Sequence, residues 1–362
     1  MPEKVPRAYE QRKEGLSFIH IRFEGKTTSP WHIGLRRYSD YLYTRDDYLW
    51  GRGIRGPVLR QLWRTYCPRS DAHDGVEFRP ERDCPKCPAA SECPFWNLRG
   101  TEDEGEFKDK PRLIVTNLTF KRGSVRKDRV ALTTLSDQYL GVVEAKAPVF
   151  IEYICEGAEF EFEAVLMGEG VKFADQFTSA VEVSLKFLGW GGFCNEGFGR
   201  GIITDVRKYS FSSFEYGVVE PLAEKIMDAA NQSGYATFRV IPMLILDRNG
   251  GGGVYTSILQ EGFRDKLCNC INERYWQFYN RHAYIQGKVE SVGGKARTVK
   301  IQAWSRKIRD KIPFEGIGNE ITLYFSGKLD FEEAKTIALA RYGVGRYKNQ
   351  GFGSLQPVVG GI

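Results

Sequence analysis

No apolar run in this chain approaches the ~18 residues that a membrane-crossing helix requires. The opening MPEKVPRAYEQRKEG has no hydrophobic stretch of the kind a signal peptide carries. These two absences argue against a membrane protein and against export, so a cytoplasmic chain is expected. Charge of one sign is also scarce. Lys and Arg number 52 against 46 Asp and Glu, a net charge of only +6 in 362 residues. Overall charge therefore does not by itself demand nucleic acid. Histidine is rarer still, with four in all (His20, His32, His73 and His282), which leaves a short list for imidazole chemistry. Cysteine is not scarce. Without an export signal, the eight cysteines are expected as thiols or metal ligands rather than disulfides.

What the chain does have is a repeat. Residues 189–201 read GWGGFCNEGFGRG and residues 343–353 read GVGRYKNQGFG. Each follows an amphipathic helical stretch and precedes a short apolar strand. Both contain Gly-Phe-Gly, as Gly197, Phe198, Gly199 and as Gly351, Phe352, Gly353. Glycine there is expected to let backbone N–H groups come close to a ligand. Arg200 in the first copy and Arg341, Arg346 and Lys348 around the second add cations, so a phosphate backbone is the guest such loops suit. Basic residues also cluster at 121–129, 295–311 and 341–348. Trp304, Tyr342 and Tyr347 are interleaved with the last two basic runs. Cations beside rings suit single-stranded RNA, whose bases stack and whose phosphates need neutralising.

Hydrophobic periodicity gives an order of elements. In the first half, strands are expected at 16–23, 112–119, 157–167 and just after 200, with helices at 53–66 and 174–188. The second half repeats the order. Strands are expected at 237–246, 283–290, 297–304 and 321–327, with helices at about 256–280 and 331–341. This is βαββαβ twice, an α+β chain of tandem ferredoxin-like domains. Domains are placed at 1–207 and 208–362, with the boundary near 208–220. The fold hosts many functions and settles none.

A long insertion at 67–110 interrupts the first domain. Cys67, Cys84, Cys87 and Cys93 space it as C-x16-C-x2-C-x5-C. The C-x2-C pair has the bite of a tetrahedral Zn²⁺ site, and the other two thiols would close it. His73 is an alternative to Cys67. Four protein ligands leave no open position, so the expected zinc is structural.

Together these features resemble the CRISPR-associated RAMP superfamily (repeat-associated mysterious proteins). The resemblance rests on SPWHIG (29–34), GRGIRGPVLRQLW (51–63), the CPKC…CPFWNLRG insertion (84–100), both glycine loops, and WSRKIRDKIPFEGIGNEITLYFSG (304–327). It is strongest to the branch that processes precursor crRNA. That resemblance implies cleavage within each CRISPR repeat, with no metal required. The 2′-hydroxyl attacks in line and leaves a cyclic phosphate, aided by a general base, a general acid and cations. His32 is the first candidate base and His20 the second, with Arg346 and Lys348 steadying the phosphate. The first half also resembles backbone subunits of type III effector complexes, which cut target RNA through a loop aspartate. Asp40 is that residue's counterpart, with Asp46 and Asp47 close behind. A non-catalytic RNA-binding scaffold is the third possibility, and other CRISPR effector subunits are possible partners.

Overall fold

The computed structural model describes residues 18–38, 41–68, 80–102, 108–132, 148–248, 253–305 and 310–358. Asp40 and His73 lie outside the described residues, as do 306–309 of the basic run. The first half contains β1 (Phe18–Thr27), β2 (Gly34–Tyr38), β3 (Tyr41–Thr44), β4 (Tyr48–Leu49) and α1 (Gly51–Tyr66). After the cysteine insertion come β5 (Leu113–Val115), β6 (Leu118–Phe120), β7 (Lys127–Leu132), β8 (Val149–Ile154) and β9 (Glu159–Met167). Helix α2 (Ala174–Val183) and β10 (Gly201–Tyr209) complete it. A helical connection that includes α3 (Glu220–Ser233) leads to β11 (Tyr235–Leu244) and α4 (Phe263–Tyr279). The chain ends with β12 (Val289–Gly293), β13 (Ala296–Ser305), β14 (Asp310–Phe325), α5 (Phe331–Ala338) and β15 (Ser354–Pro357).

Strand order gives the same fold twice. The first main sheet runs β10-β1-β9-β6-β4 with β5 also on β9, and the second runs β15-β11-β14-β12 with β13 also on β14. Both are antiparallel and place the fourth strand beside the first and the first beside the third, the ferredoxin-like arrangement. Side-chain alternation sets the faces. In β9, Phe160, Phe162 and Ala164 are buried on the helix-covered side, leaving Glu159, Glu161 and Glu163 on the other. Helix α1 turns Ile54, Val58, Leu59 and Leu62 to the same core. Helix α5 starts with a capping box in which Asp330 and Glu333 satisfy each other's backbone amides. A second core crosses the halves: Phe18, Val165 and Met167 join Phe214, Phe238, Phe278, Ile321 and Tyr342.

Several expected elements move. Helix α4 starts at Phe263 rather than near 256, because Gly262 takes a left-handed φ of 76° and the turn before it is closed by Gln260. The strand expected at 283–290 starts only at Val289, after Asn280 ends the helix in the left-handed region. Strand β14 begins at Asp310, well before 321, because it pairs along its length first with β13 and then with β12. A four-stranded sheet, β2-β3-β8-β7, was not expected at all. Its strand β3 is YLYT, which reads as a polar loop, and β7 lies at the end of the 121–129 basic run.

Candidate functional site

Three backbone bonds of one glycine loop recur at matching residues of the other. In the first, Trp190 N donates to Gly199 O, Gly199 N to Pro30 O and Gly192 N to His32 O. In the second, Val344 N donates to Gly353 O, Gly353 N to Met243 O and Arg346 N to Ile245 O. Phe193 and Tyr347 hold matching left-handed φ values of 57° and 58°. The close approach that glycine permits is to the protein's own backbone. A Cβ on Gly353 would sit 2.1 Å from Val344 O, and one on Gly199 2.2 Å from Trp190 O. The six amides so bonded are turned to the protein's own backbone and hold each loop in place.

The second loop also docks across the molecule. Asn117, at the β5–β6 junction, donates to Gly351 O at 2.7 Å and accepts from Gly51 N at 3.0 Å. One side chain thus caps an orphan amide at the start of α1 and grips the loop of the other half. Behind the loop, the buried Arg274 of α4 donates to Gly343 O at 2.7 Å and to Asn349. Burial pulls the Arg274 pKa down to about 9. Lys348, expected on a phosphate, instead pairs with Glu273 and is largely buried, which together with the neighbouring Arg274 lowers its pKa. Arg346 pairs with Asp247 at 2.8 Å, and Arg341 with Glu163 at 2.8 Å. Arg200 is exposed and makes no ion pair with a described residue; its backbone carbonyl accepts from Trp31 Nε1 at 2.7 Å.

The histidines separate cleanly. His32 is walled into the first loop, with Nδ1–H donating to Glu152 O at 2.9 Å and its ring against Phe193. Burial lowers its pKa below the usual imidazole value. His32 therefore shapes the SPWHIG turn. His20 is buried where the halves meet. Its Nε2 lies 3.1 Å from Glu163 Oε2, and its Nδ1 has no hydrogen-bond partner among the described residues. Tyr342 donates to the same carboxylate at 2.7 Å. Burial works to raise the Glu163 pKa, but Arg341, His20 and Tyr342 outweigh it and hold the carboxyl well below its usual range. Burial and the Glu163 carboxylate push the Tyr342 phenol well above its ordinary value. His282 is exposed beside Tyr284.

This cluster borders a groove. A cavity of about 570 Å³ opens between the two main sheets, lined by Arg22, Lys121, Arg122, Lys127, Arg239 and Arg341 against Asp46, Asp47, Glu161 and Glu163. His20 borders an adjoining hollow of about 290 Å³ that shares Arg22, Glu161, Glu163 and Arg341 with it. Most of the cations are held by carboxylates, such as Arg22 by Glu161 and Arg239 by Asp47. Asp46 likewise pairs with Lys127 at 2.9 Å. Arg122 is exposed and unpaired among the described residues. Tyr41, Tyr43 and Phe150 form a half-exposed aromatic group on the additional sheet.

The four insertion cysteines converge. Cys67, Cys84, Cys87 and Cys93 line one small cavity of about 20 Å³ beside Phe95 and Trp96. Burial first, then the neighbouring Cys93, Cys67 and Cys87, push the Cys84 thiol up to about 11. All four donors are thiols, the ligand type that soft ions such as zinc take. Among the described residues, no group of three or more His, Cys, Asp or Glu is drawn together as a metal-holding cluster.

Asn117, Arg274 and Glu163 went unnoticed in the sequence as site residues. Glu163 carried one signal, its place in the alternating Glu159-Glu161-Glu163 row. Asn117 and Arg274 carried none, since their partners lie 234 and 69 residues away.

The RAMP superfamily model matches residues 24–202, from β1 through the first glycine loop. The matched segment belongs to the RAMP superfamily. No curated protein matches it in sequence. Among solved structures, a chain of a type III-B Cmr-beta complex bound to cognate target RNA is similar, at 16% identity over 57% of this chain and 67% of that one, with a TM-score of 0.36. Thermus thermophilus Cas6 is 12% identical over 95% of this chain and 99% of its own, with a TM-score of 0.39. Cmr6 from Pyrococcus furiosus is 14% identical over 51% and 98%, with a TM-score of 0.31. At such TM-scores these likenesses carry no argument about the chemistry of this chain. Among the described residues, no helix is long and apolar enough to cross a membrane.

Proposed function

We propose that this is a CRISPR-associated RNA-binding protein that takes single-stranded repeat RNA into the groove between its sheets and cuts precursor crRNA there. The observation that carries the reading is the groove itself, with six cations around it and the His20–Glu163–Tyr342 cluster at its side. Phosphates would displace the groove carboxylates from Arg22, Lys127 and Arg239, while Arg122, unpaired among the described residues, would bind directly. Bases splayed from the strand would find Tyr41, Tyr43 and Phe150 to stack on.

In the cutting step, the 2′-hydroxyl gives its proton to a base and attacks the adjacent phosphorus. The 5′-oxygen leaves with a proton from an acid, and a 2′,3′-cyclic phosphate remains. His20 is the candidate base, because its Nδ1 is unpartnered while Glu163 fixes the opposite ring nitrogen. Arg341 would steady the charge on the phosphorane. No metal takes part in this step. Zinc, if held by Cys67, Cys84, Cys87 and Cys93, would brace the insertion against α1. Elemental analysis of the purified chain and of its Cys84→Ser variant tests this, with one zinc per chain expected only in the former.

The activity is tested with labelled repeat RNA in EDTA, comparing the wild type with His20→Asn and His32→Ala. Cleavage at one position is expected, abolished in the first variant and retained in the second if that variant folds. Tight binding with no cleavage by the wild type would remove the cutting step and leave an RNA-binding scaffold. Loss of cleavage only in folded His32→Ala would move the base to the first loop.

A further inference from the structure

The chain uses one interface internally and leaves both of its repeated counterparts uncovered. In the used copy, the second half presents the end of its last helix, its glycine loop and β15. Arg341 and Tyr342 reach Glu163, Gly351 meets Asn117, and Gln356 lines the groove. The receiving surface is the open face of the first sheet and the start of α1.

The matching loop bonds and the strand registers place the counterparts residue by residue. Two residues before its first glycine, the second loop has Arg341 and the first has Phe187. Gly351 corresponds to Gly197, around whose Cβ position no atom lies within 4 Å. Gln356, opposite Arg239, corresponds to Ile202, opposite Lys26. On the receiving side, Thr27 opposite Gly201 corresponds to Val240 opposite Leu355. Five residues earlier in each strand, Arg22 faces Glu163 and Tyr235 faces Tyr324. Glu163, which receives Arg341, therefore has Tyr324 as its counterpart.

Both free counterparts are exposed, and both are apolar or aromatic. Phe187 is 62% exposed and Ile202 37%, while Tyr324 is 41% and Tyr235 44%. Tyr235 and Tyr324 pack on one another with ring centroids 5.7 Å apart. The chemistry has changed on both members together. The internal contact pairs a guanidinium with a carboxylate, and the free surfaces offer a phenylalanine and an isoleucine to a tyrosine pair. Every copy of the chain carries both members.

We propose that copies of this chain associate head to tail, the Phe187–Gly197–Ile202 surface of one seating on the Tyr235–Tyr324 sheet face of the next. The contact repeats the internal relation of the second half to the first. It joins two different surfaces, so it is heterologous and can continue beyond a dimer. The proposal does not depend on RNA cleavage or on the groove.

Sedimentation velocity over a range of concentrations tests it, using full-length wild type, Phe187→Glu, Tyr324→Glu and their equimolar mixture. The wild type is expected to grow past dimer with concentration, and each variant to stay monomeric. The mixture is expected to stop at a dimer, since one variant keeps the donor surface and the other the receiver. All four side chains are exposed, and circular dichroism confirms that the variants fold. Ile202→Lys serves as an independent donor-side break. A monomeric wild type, association that survives either substitution, or a mixture that stays monomeric would each overturn the proposal. If the wild type is monomeric and Tyr324→Glu instead loses repeat-RNA binding, the sheet face is an RNA platform and self-association is wrong.

Discussion

The first and second glycine loops share the backbone bonds that close them and tie them to the neighbouring strand, yet differ in what their tips meet. Gly351 abuts Asn117 and Gly51 of the other half, where an added Cβ would lie 2.3 Å from Asn117 Oδ1. Gly197 holds the same left-handed turn, φ 87° against 84°, with open space around it. Glycine is thus retained for two separable reasons. One is local, the backbone turn and its approach to the neighbouring strand. The other exists only where the tip is docked. A sequence motif repeated twice need not do the same work twice.

The strongest test targets what the loops share. Gly353→Ala and Gly199→Ala each force a left-handed φ on alanine and drive its Cβ into a backbone carbonyl. Each is expected to cost about 2–5 kcal/mol, combining ~1–2 for the backbone with overpacking of ~1–3. Urea unfolding should show equal losses, and a large inequality would mean that the loops are not equivalent inside. The next test targets the difference. Gly351→Ala should cost about 2–4 kcal/mol, because turn strain and the clash with Asn117 add, while Gly197→Ala should cost only about 1 for the turn. Equal losses at these two positions would break the comparison.

How much of this could be read from sequence follows from how far each signal travels. Strands β1 and β9 and helix α1 were legible because alternation or helical spacing of Phe160, Phe162, Ile54 and Leu62 is local. The glycine loops were legible as a repeat, and their turn was inferred for the right residue type. The role of that residue was not, because the atoms Gly351 must clear belong to Asn117, and nothing near either residue announces the other. The same holds for Lys348. It reads as a free cation beside a loop until α4 brings Glu273 against it. The additional sheet was missed since its strands are short and the ladder that joins its two hairpins, β3 with β8, pairs residues more than a hundred apart, as Tyr41 with Phe150.

The receiving surfaces offer a third comparison, smaller than the glycine clash. Glu163→Gln keeps a hydrogen-bond acceptor for Tyr342 but removes the charge that faces Arg341, and is expected to cost on the order of 2 kcal/mol at neutral pH. Its counterpart change, Tyr324→Gln, should be near neutral for the fold of the monomer, since that ring is exposed. The Glu163 carboxyl titrates below its unfolded value of 4.5. Its stabilisation is therefore fully present above that pH and is lost as pH falls through the folded pKa. Wild type and Glu163→Gln should converge in stability on acidification below pH 4.5, and a gap that stays constant to lower pH would remove Glu163 as the titrating partner.

The smallest expected effect separates the cations of the two loops. Arg200 stands exposed on the first loop and is unpaired among the described residues, whereas Lys348 on the second is turned inward to Glu273. If RNA runs over the first loop, each phosphate neutralised contributes about 0.7 to the slope of log affinity against log salt for a single strand. Arg200→Ala should flatten the slope by roughly that amount and weaken binding at low salt. Lys348→Ala should leave the slope unchanged, because its ammonium is already compensated by the protein. The opposite outcome would require Lys348 to leave Glu273 on binding, exposing that carboxylate beside the buried Arg274. Glu273→Gln would then raise RNA affinity, and the same salt titration would detect it.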